Sequence, residues 1–219
     1  MKLALFDLDH TLIGFDSGMA WTQHLIDVGA LDAAAEQRYL DFCHQYVAGT
    51  LDIHAMHRAV MAPLAGFAPA QLHHWRGQFA QAMAPRLSPA ARELVARHRD
   101  DGDLCAIVTA TSRWVAEPFA QAFGIAHLVA TESVMVDGRP AGEIDGLPCY
   151  REHKPARVAA WLAAMGQPPL STFDASWFYS DSASDLSLLQ CVTNPVAVRP
   201  DPRLRERCLE RGWPVIEVL

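Results

Sequence analysis

The chain has 219 residues, 51% hydrophobic and 20% charged, with a formal net charge of −7. These proportions suit a globular core and allow one domain with an insertion, or two small domains. The acidic balance and the lack of a Lys/Arg run argue against a nucleic-acid surface, and no run of ~20 uninterrupted apolar residues suggests a membrane span.

The first predicted element is a strand over Leu3–Phe6, running into Asp7-Leu8-Asp9-His10-Thr11. If the extended backbone continued, Asp7 and Asp9 would point to one side and Leu8 to the other. Two carboxylates held that close call for a cation or a shared proton. An Asp can also attack phosphorus. Taken alone, the same residues also fit an Asp-rich turn without chemistry. The apolar stretch at the N-terminus is too short for a secretion signal. The cysteines (Cys43, Cys105, Cys149, Cys191, Cys208) are odd in number and lack any C-x-x-C pair. Reduced thiols in a cytoplasmic protein are therefore expected.

Residues 14–86 read as almost entirely helical, with periodic stretches at Trp21–Val28, Ala33–Val47 and Ala70–Ala84 separated by Gly and Pro. From Ser88 the pattern alternates. Ser88-Pro89 reads as an N-cap and first helical residue, opening a helix through His98. A strand over Leu104–Thr109 leads into Thr109-Ala110-Thr111-Ser112, and a helix over Trp114–Phe123 stops at Gly124. A short strand over His127–Ala130 precedes a hairpin, Val134–Val136 and Arg139–Ile144, turning at Asp137-Gly138. Then come a helix over Lys154–Met165, a strand over Trp177–Tyr179 and the polar cluster Ser180-Asp181-Ser182-Ala183-Ser184-Asp185. A helical stretch Asp185–Gln190, a strand Pro195–Val198, a helix Arg203–Arg211 and a last strand Val215–Val218 complete the chain. Strands alternating with helices predict an α/β fold, a Rossmann-like and mostly parallel sheet with right-handed crossovers.

Four polar clusters thus follow strands or open a helix in a fixed order: Asp7/Asp9, Thr109, Lys154, then Asp181/Asp185. The ordered set resembles the four motifs of the haloacid dehalogenase (HAD) superfamily of phosphohydrolases, from Phe6 to Asp185. A helical insertion directly after the first motif narrows the likeness to members with an α-helical cap, a group that includes phosphoserine phosphatases and HAD-type histidinol-phosphatases. The expected organisation is a catalytic core of residues 1–13 plus 87–219 and a cap of residues 14–86.

That resemblance implies roles. Asp7 would be the nucleophile that forms an aspartyl phosphate, and Asp9 the general acid and then base. Mg²⁺ would bind the Asp7 and Asp181 side chains and the backbone carbonyl of Asp9. Thr109 and the Ala110 amide would hold a phosphoryl oxygen, and Lys154 would set a positive charge beside the phosphate and Asp7. Asp185 would sit behind the metal or Lys154. The chain departs from the family pattern at Ser180, where Gly is common, and at Ser184, where Asn is common; Ser can still hydrogen-bond a phosphate or a water but has a shorter reach than Asn. Read alone, Thr109 is an ordinary strand-end threonine, Lys154 a solvated lysine and Asp185 a helix cap.

The implied activity is Mg²⁺-dependent hydrolysis of a small phosphorylated metabolite, with no nucleic-acid or membrane partner. A phosphotransferase with the same intermediate, or a catalytically silent binding protein of the same fold, are the alternatives. Asp16 at the cap entrance suits a substrate amine, or else caps the first cap helix. Phosphoserine would further need a cap cation for its carboxylate, with Arg38, Arg58 and Arg76 as candidates. Histidinol phosphate needs none and ranks first among named substrates. His54/His57 and His73/His74 could suggest a zinc site, but they lack the accompanying ligands, and a solvated or partner-facing helix surface is the simpler reading. His10 is expected to shape its loop.

Overall fold

The computed structural model describes residues 1–217. Strand β1 (Lys2–Phe6) lies at the centre of a parallel sheet, between β2 (Leu104–Ser112) and β6 (Ala175–Ser180). Beyond β2 lies β3 (His127–Thr131); beyond β6 lie β7 (Asn194–Val198) and β8 (Val215–Ile216). The final strand is shorter than expected, and Val218 lies outside the described residues.

A central parallel strand is covered on both faces, so it reads as a continuous apolar run. Along β1, Leu3 and Leu5 enter the core on one face, while Ala4 and Phe6 enter the core on the other. The sheet order 3-2-1-6-7-8 reverses direction between β1 and β6. In open α/β sheets the crevice beyond the carboxyl ends of two such strands is where ligands bind. Asp7 follows β1 there and Asp181 follows β6.

Five helices connect β1 to β2: α1 (Ser17–Asp27), α2 (Ala34–Ala48), α3 (Ile53–Met61), α4 (Pro69–Met83) and α5 (Pro89–Asp100). Asp16, Asp52 and Ser88 cap α1, α3 and α5, each accepting a backbone N–H of the first turn. Helix α6 (Arg113–Phe123) ends on Gly124 in the left-handed conformation, φ 66°. Helices α7 (Lys154–Ala164), α8 (Leu186–Leu189) and α9 (Pro202–Arg211) follow.

The hairpin β4 (Ser133–Val136) and β5 (Arg139–Ile144) turns through Asp137 and Gly138, both at positive φ as a two-residue hairpin requires. It packs against α3 and the turn after it. Ser133 Oγ lies 3.0 Å from His57 Nε2, and Arg58 pairs with Glu143. A Cβ on Gly142 would lie 2.7 Å from the Ala62 Cβ. The helical segment therefore rests on the hairpin as well as on the sheet.

Strands β2 and β6 each outrun their prediction by three residues, and β2 does so irregularly. Val108 of β2 pairs with Val129, but Ser112 pairs with Thr131, so β2 carries extra residues between these pairs. Thr109, Ala110 and Thr111 occupy that irregularity. Bulges re-aim side chains at sheet rims and beside active sites.

Candidate active site

After β1 the chain leaves the sheet. The Asp7 amide still donates to the Tyr179 carbonyl at 2.9 Å, but Leu8 already accepts from the Thr11 and Ile13 amides. His10 closes this loop at φ 56°, and its carbonyl accepts from the Arg199 guanidinium at 2.7 Å. Asp7 and Asp9 are thus set by a compact loop rather than by an extended strand, and they diverge to different partners.

Asp7 Oδ1 accepts from Lys154 Nζ at 2.9 Å, and Oδ2 from Thr11 Oγ1 at 3.1 Å. Lys154 is 2% exposed. Its ammonium also donates to Asp185 Oδ2 at 2.7 Å. It opens α7, yet it is buried rather than solvated, because two carboxylates replace its water. Burial alone would lower its pKa; Asp185 and Asp7 outweigh that and hold it well above the usual lysine range.

Thr11, not singled out from the sequence, joins two motifs. Its hydroxyl hydrogen faces Asp7 Oδ2 at 3.1 Å and Asp181 Oδ1 at 3.2 Å, while its oxygen accepts from the Asp181 amide at 3.0 Å. It brings carboxylates 174 positions apart in the chain to one hydroxyl. Asp181 is pushed up to about 8 by burial and then by the charges of Asp7 and Asp185. Burial, opposed by Lys154 and reinforced by Asp7, pushes Asp185 up to about 6. Asp7 is likewise raised, chiefly by burial.

Asp185 stands at the N-cap position of α8, but its side chain makes no cap bond. Its Oδ2 takes Lys154 and the Ser180 hydroxyl at 2.8 Å, while the buried Oδ1 has no hydrogen-bond partner. Ser180, the departure from Gly, thus ties Asp185 down. Ser184 is drawn the other way: its Oγ lies 2.7 Å from the hydroxyl of Tyr46 on α2, which also donates to Ser182 Oγ at 2.9 Å.

On the other side of the loop, Asp9 Oδ2 accepts from Thr111 Oγ1 at 2.7 Å and Oδ1 from the Ser17 amide at 2.6 Å. The buried Thr109 Oγ1 accepts from the Thr111 amide at 3.1 Å, leaving its own hydrogen to donate. Asp16 Oδ1 accepts from the Met19 amide and from the Tyr39 hydroxyl, both at 2.7 Å. Asp16 therefore caps α1, and its charge raises Asp9 after burial has done so. A cavity between helices α1–α3 and the β2 irregularity is lined by Tyr39, Met56, His57, Val60, Ala110 and Thr111, among others. None of its lining residues is Lys or Arg.

The candidate arginines are engaged elsewhere. Arg38 pairs with Asp32 and Arg58 with Glu143, both on the surface. Arg76 pairs with Glu117 and lies over the Trp114 ring. No group of three or more His, Cys, Asp or Glu residues forms a ready metal cage among the described residues. His57 is bound to Ser133 and pushed down to about 4 by burial and His54. The acidic cluster nevertheless fits a hard divalent cation. Three carboxylates meet a single lysine that bonds only two of them, Asp7 and Asp185, while Asp181 shares Thr11 with Asp7; all three carboxyls are raised, and the Asp185 Oδ1 is orphaned. Mg²⁺ needs only one or two carboxylates with water and substrate oxygens, not a cage.

Residues 4–190 match the haloacid dehalogenase-like hydrolase family. The chain belongs to that family. It is 40% identical to a histidinol-phosphatase of Neisseria meningitidis serogroup C over 98% of both chains. A protein of unknown function from Bordetella pertussis Tohama I superimposes with a TM-score of 0.92, at 42% identity, over 100% of this chain and 99% of that one. A substrate-bound phosphoserine phosphatase superimposes with a TM-score of 0.70 at 18% identity, over 99% and 93%; this likeness speaks for the fold alone. With its family and its relatives, the chain is an HAD-type phosphatase with an α/β core and a helical region inserted after β1.

Proposed function

We propose that this HAD-type phosphatase hydrolyses a small phosphomonoester whose leaving group carries an amine and no carboxylate, histidinol phosphate being the compound of choice. The observation that carries this reading is the cavity beside Asp9 and Thr111. Its lining has no Lys or Arg, and the three candidate arginines, Arg38, Arg58 and Arg76, are paired elsewhere. The Asp16 carboxylate lies close enough to act on Asp9. The histidinol-phosphatase of N. meningitidis supports the same choice.

Asp7 attacks phosphorus and forms an aspartyl phosphate. Lys154 holds Asp7 in place and offsets the repulsion between carboxylate and phosphate dianion. Thr109 donates to a phosphoryl oxygen, with the Ala110 amide beside it. Asp9 protonates the leaving alkoxide and then takes a proton from the water that opens the intermediate. Mg²⁺ bound by Asp7, Asp181 and the Asp9 carbonyl would neutralise charge on the transferring phosphoryl group. Asp185 fixes Lys154, and Ser184 serves through Tyr46 as part of the contact between cap and core. Residues 14–86 act as the cap and residues 1–13 plus 87–219 as the core; closure shields the site from bulk solvent and admits the water that Asp9 activates.

The test is kcat/KM with Mg²⁺ for histidinol phosphate, O-phosphoserine and p-nitrophenyl phosphate. Histidinol phosphate should exceed O-phosphoserine by about tenfold or more, the cost of burying one unpaired carboxylate. Equal or better turnover of O-phosphoserine overturns this substrate assignment.

A further inference from the structure

We infer that Thr111 is a positioning residue for Asp9, holding the general acid against the leaving-group cavity. The inference rests on the reading of Asp9 given above and extends it to a residue of the second polar cluster for which the family likeness implied no role. A carboxyl at the end of a short loop can rotate. Asp9 is fixed at both oxygens, by the Thr111 hydroxyl at 2.7 Å and the Ser17 amide at 2.6 Å. Thr111 also lines the cavity that would take the leaving group. It occupies the irregular stretch of β2 between the Val108–Val129 and Ser112–Thr131 pairs. Its amide is held by the Thr109 hydroxyl. The hydroxyl expected to meet the phosphoryl group thus anchors the residue that orients the acid. Ser17 opens α1, so the second restraint on Asp9 comes from the first cap helix.

A positioning role leaves a signature that general destabilisation does not. An alkoxide needs a proton as it leaves, whereas p-nitrophenolate leaves readily without one. The ratio of kcat/KM for an amino-alcohol phosphate to that for p-nitrophenyl phosphate therefore reports the acid. kcat/KM stops at the first irreversible step, so the later use of Asp9 as a base does not enter. Losing one hydrogen bond to a charged group corresponds to roughly ten- to a hundredfold. Thr111→Val and Thr111→Ala should each lower the ratio by about that factor, and Thr111→Ser should restore most of it. Asp9→Asn, measured beside them, should lower it further. If Asp9→Asn lowers the ratio but Thr111→Val and Thr111→Ala do not, the positioning role is overturned and the reading of Asp9 stands. If Asp9→Asn leaves the ratio at the wild-type value, the acid assignment fails and the positioning role with it. If only one Thr111 variant folds, its ratio against Thr111→Ser decides. If neither does, Thr111→Cys, close to threonine in size but only a weak donor, takes their place: a lowered ratio supports the positioning role and an unchanged one overturns it.

Discussion

Asp16 shows how one carboxylate can serve two purposes. Its Oδ1 caps α1 and receives the Tyr39 hydroxyl, so the structural role is realised. Its charge nevertheless reaches Asp9. Asn caps a helix nearly as well as Asp, so Asp16→Asn removes the charge and keeps the cap. If that charge selects a substrate amine, kcat/KM for an amino-alcohol phosphate should fall roughly ten- to a hundredfold. The value for p-nitrophenyl phosphate should fall much less. Equal and small effects on both would leave Asp16 a cap only. The residues legible from sequence were those whose motif follows a strand, Asp7, Asp9, Thr109, Asp181 and Asp185, and Lys154 at the opening of α7. Thr11, Thr111, Tyr39 and Tyr46 were not, because their partners are distant in the chain. Thr11 meets Asp181 and Thr111 meets Asp9 only once the sheet has formed. Ser180 read as a departure, and the bond that explains it runs to Asp185.

Among the elements, α1 meets the tightest constraint. A Cβ on Gly18 would lie 2.1 Å from the Tyr39 hydroxyl oxygen and 2.8 Å from Cζ. Tyr39 is buried and bound to Asp16, so it cannot move aside cheaply. Gly18→Ala should therefore lose about 1–3 kcal/mol, the usual cost of overpacking. Gly77 in α4 has nothing within 4 Å of the same added atom. Gly77→Ala should gain about 0.4–1 kcal/mol through the unfolded chain. Urea midpoints of both variants check the pair; a Gly18→Ala midpoint at or above wild type would remove Tyr39 as a fixed wall of the cavity. Element types were most legible where a helix carries a cap or a stop, such as Ser88-Pro89 for α5 and Gly124 for α6. The extension of β2 to Ser112 was not legible. Its register depends on Thr131 of β3, which no local pattern in Thr109–Ser112 encodes.

For the whole molecule, the acidic cluster links stability to pH and to a divalent cation. Burial raises Asp181 to about 8, with Asp7 and Asp185 adding to it, against an unfolded value of 3.8. The metal-free fold therefore holds a proton that the unfolded chain has lost. Stability falls as pH rises through this window, because the native state binds more protons. His57, lowered to about 4, acts in the opposite sense below its unfolded value of 6.5. Between about pH 6.5 and 8 the Asp181 effect stands alone of the two. In EDTA the Tm should fall across that interval. Mg²⁺ should offset the fall by binding the ionised cluster. Asp181→Asn should flatten both responses. A metal-free Tm that rises with pH across the interval would contradict the charge arrangement described for the cluster.

In the proposed mechanism Asp7 is the nucleophile, held by Lys154 and Thr11 at the carboxyl end of β1. Asp7→Asn keeps the size of the side chain and removes the attacking anion. The most direct measurement is Mg²⁺-dependent phosphate release by this variant, with circular dichroism as the folding control. The expected result is a folded protein whose kcat is lower by roughly a thousandfold or more. A folded Asp7→Asn enzyme with kcat within about tenfold of wild type would contradict the nucleophile assignment and the mechanism built on it.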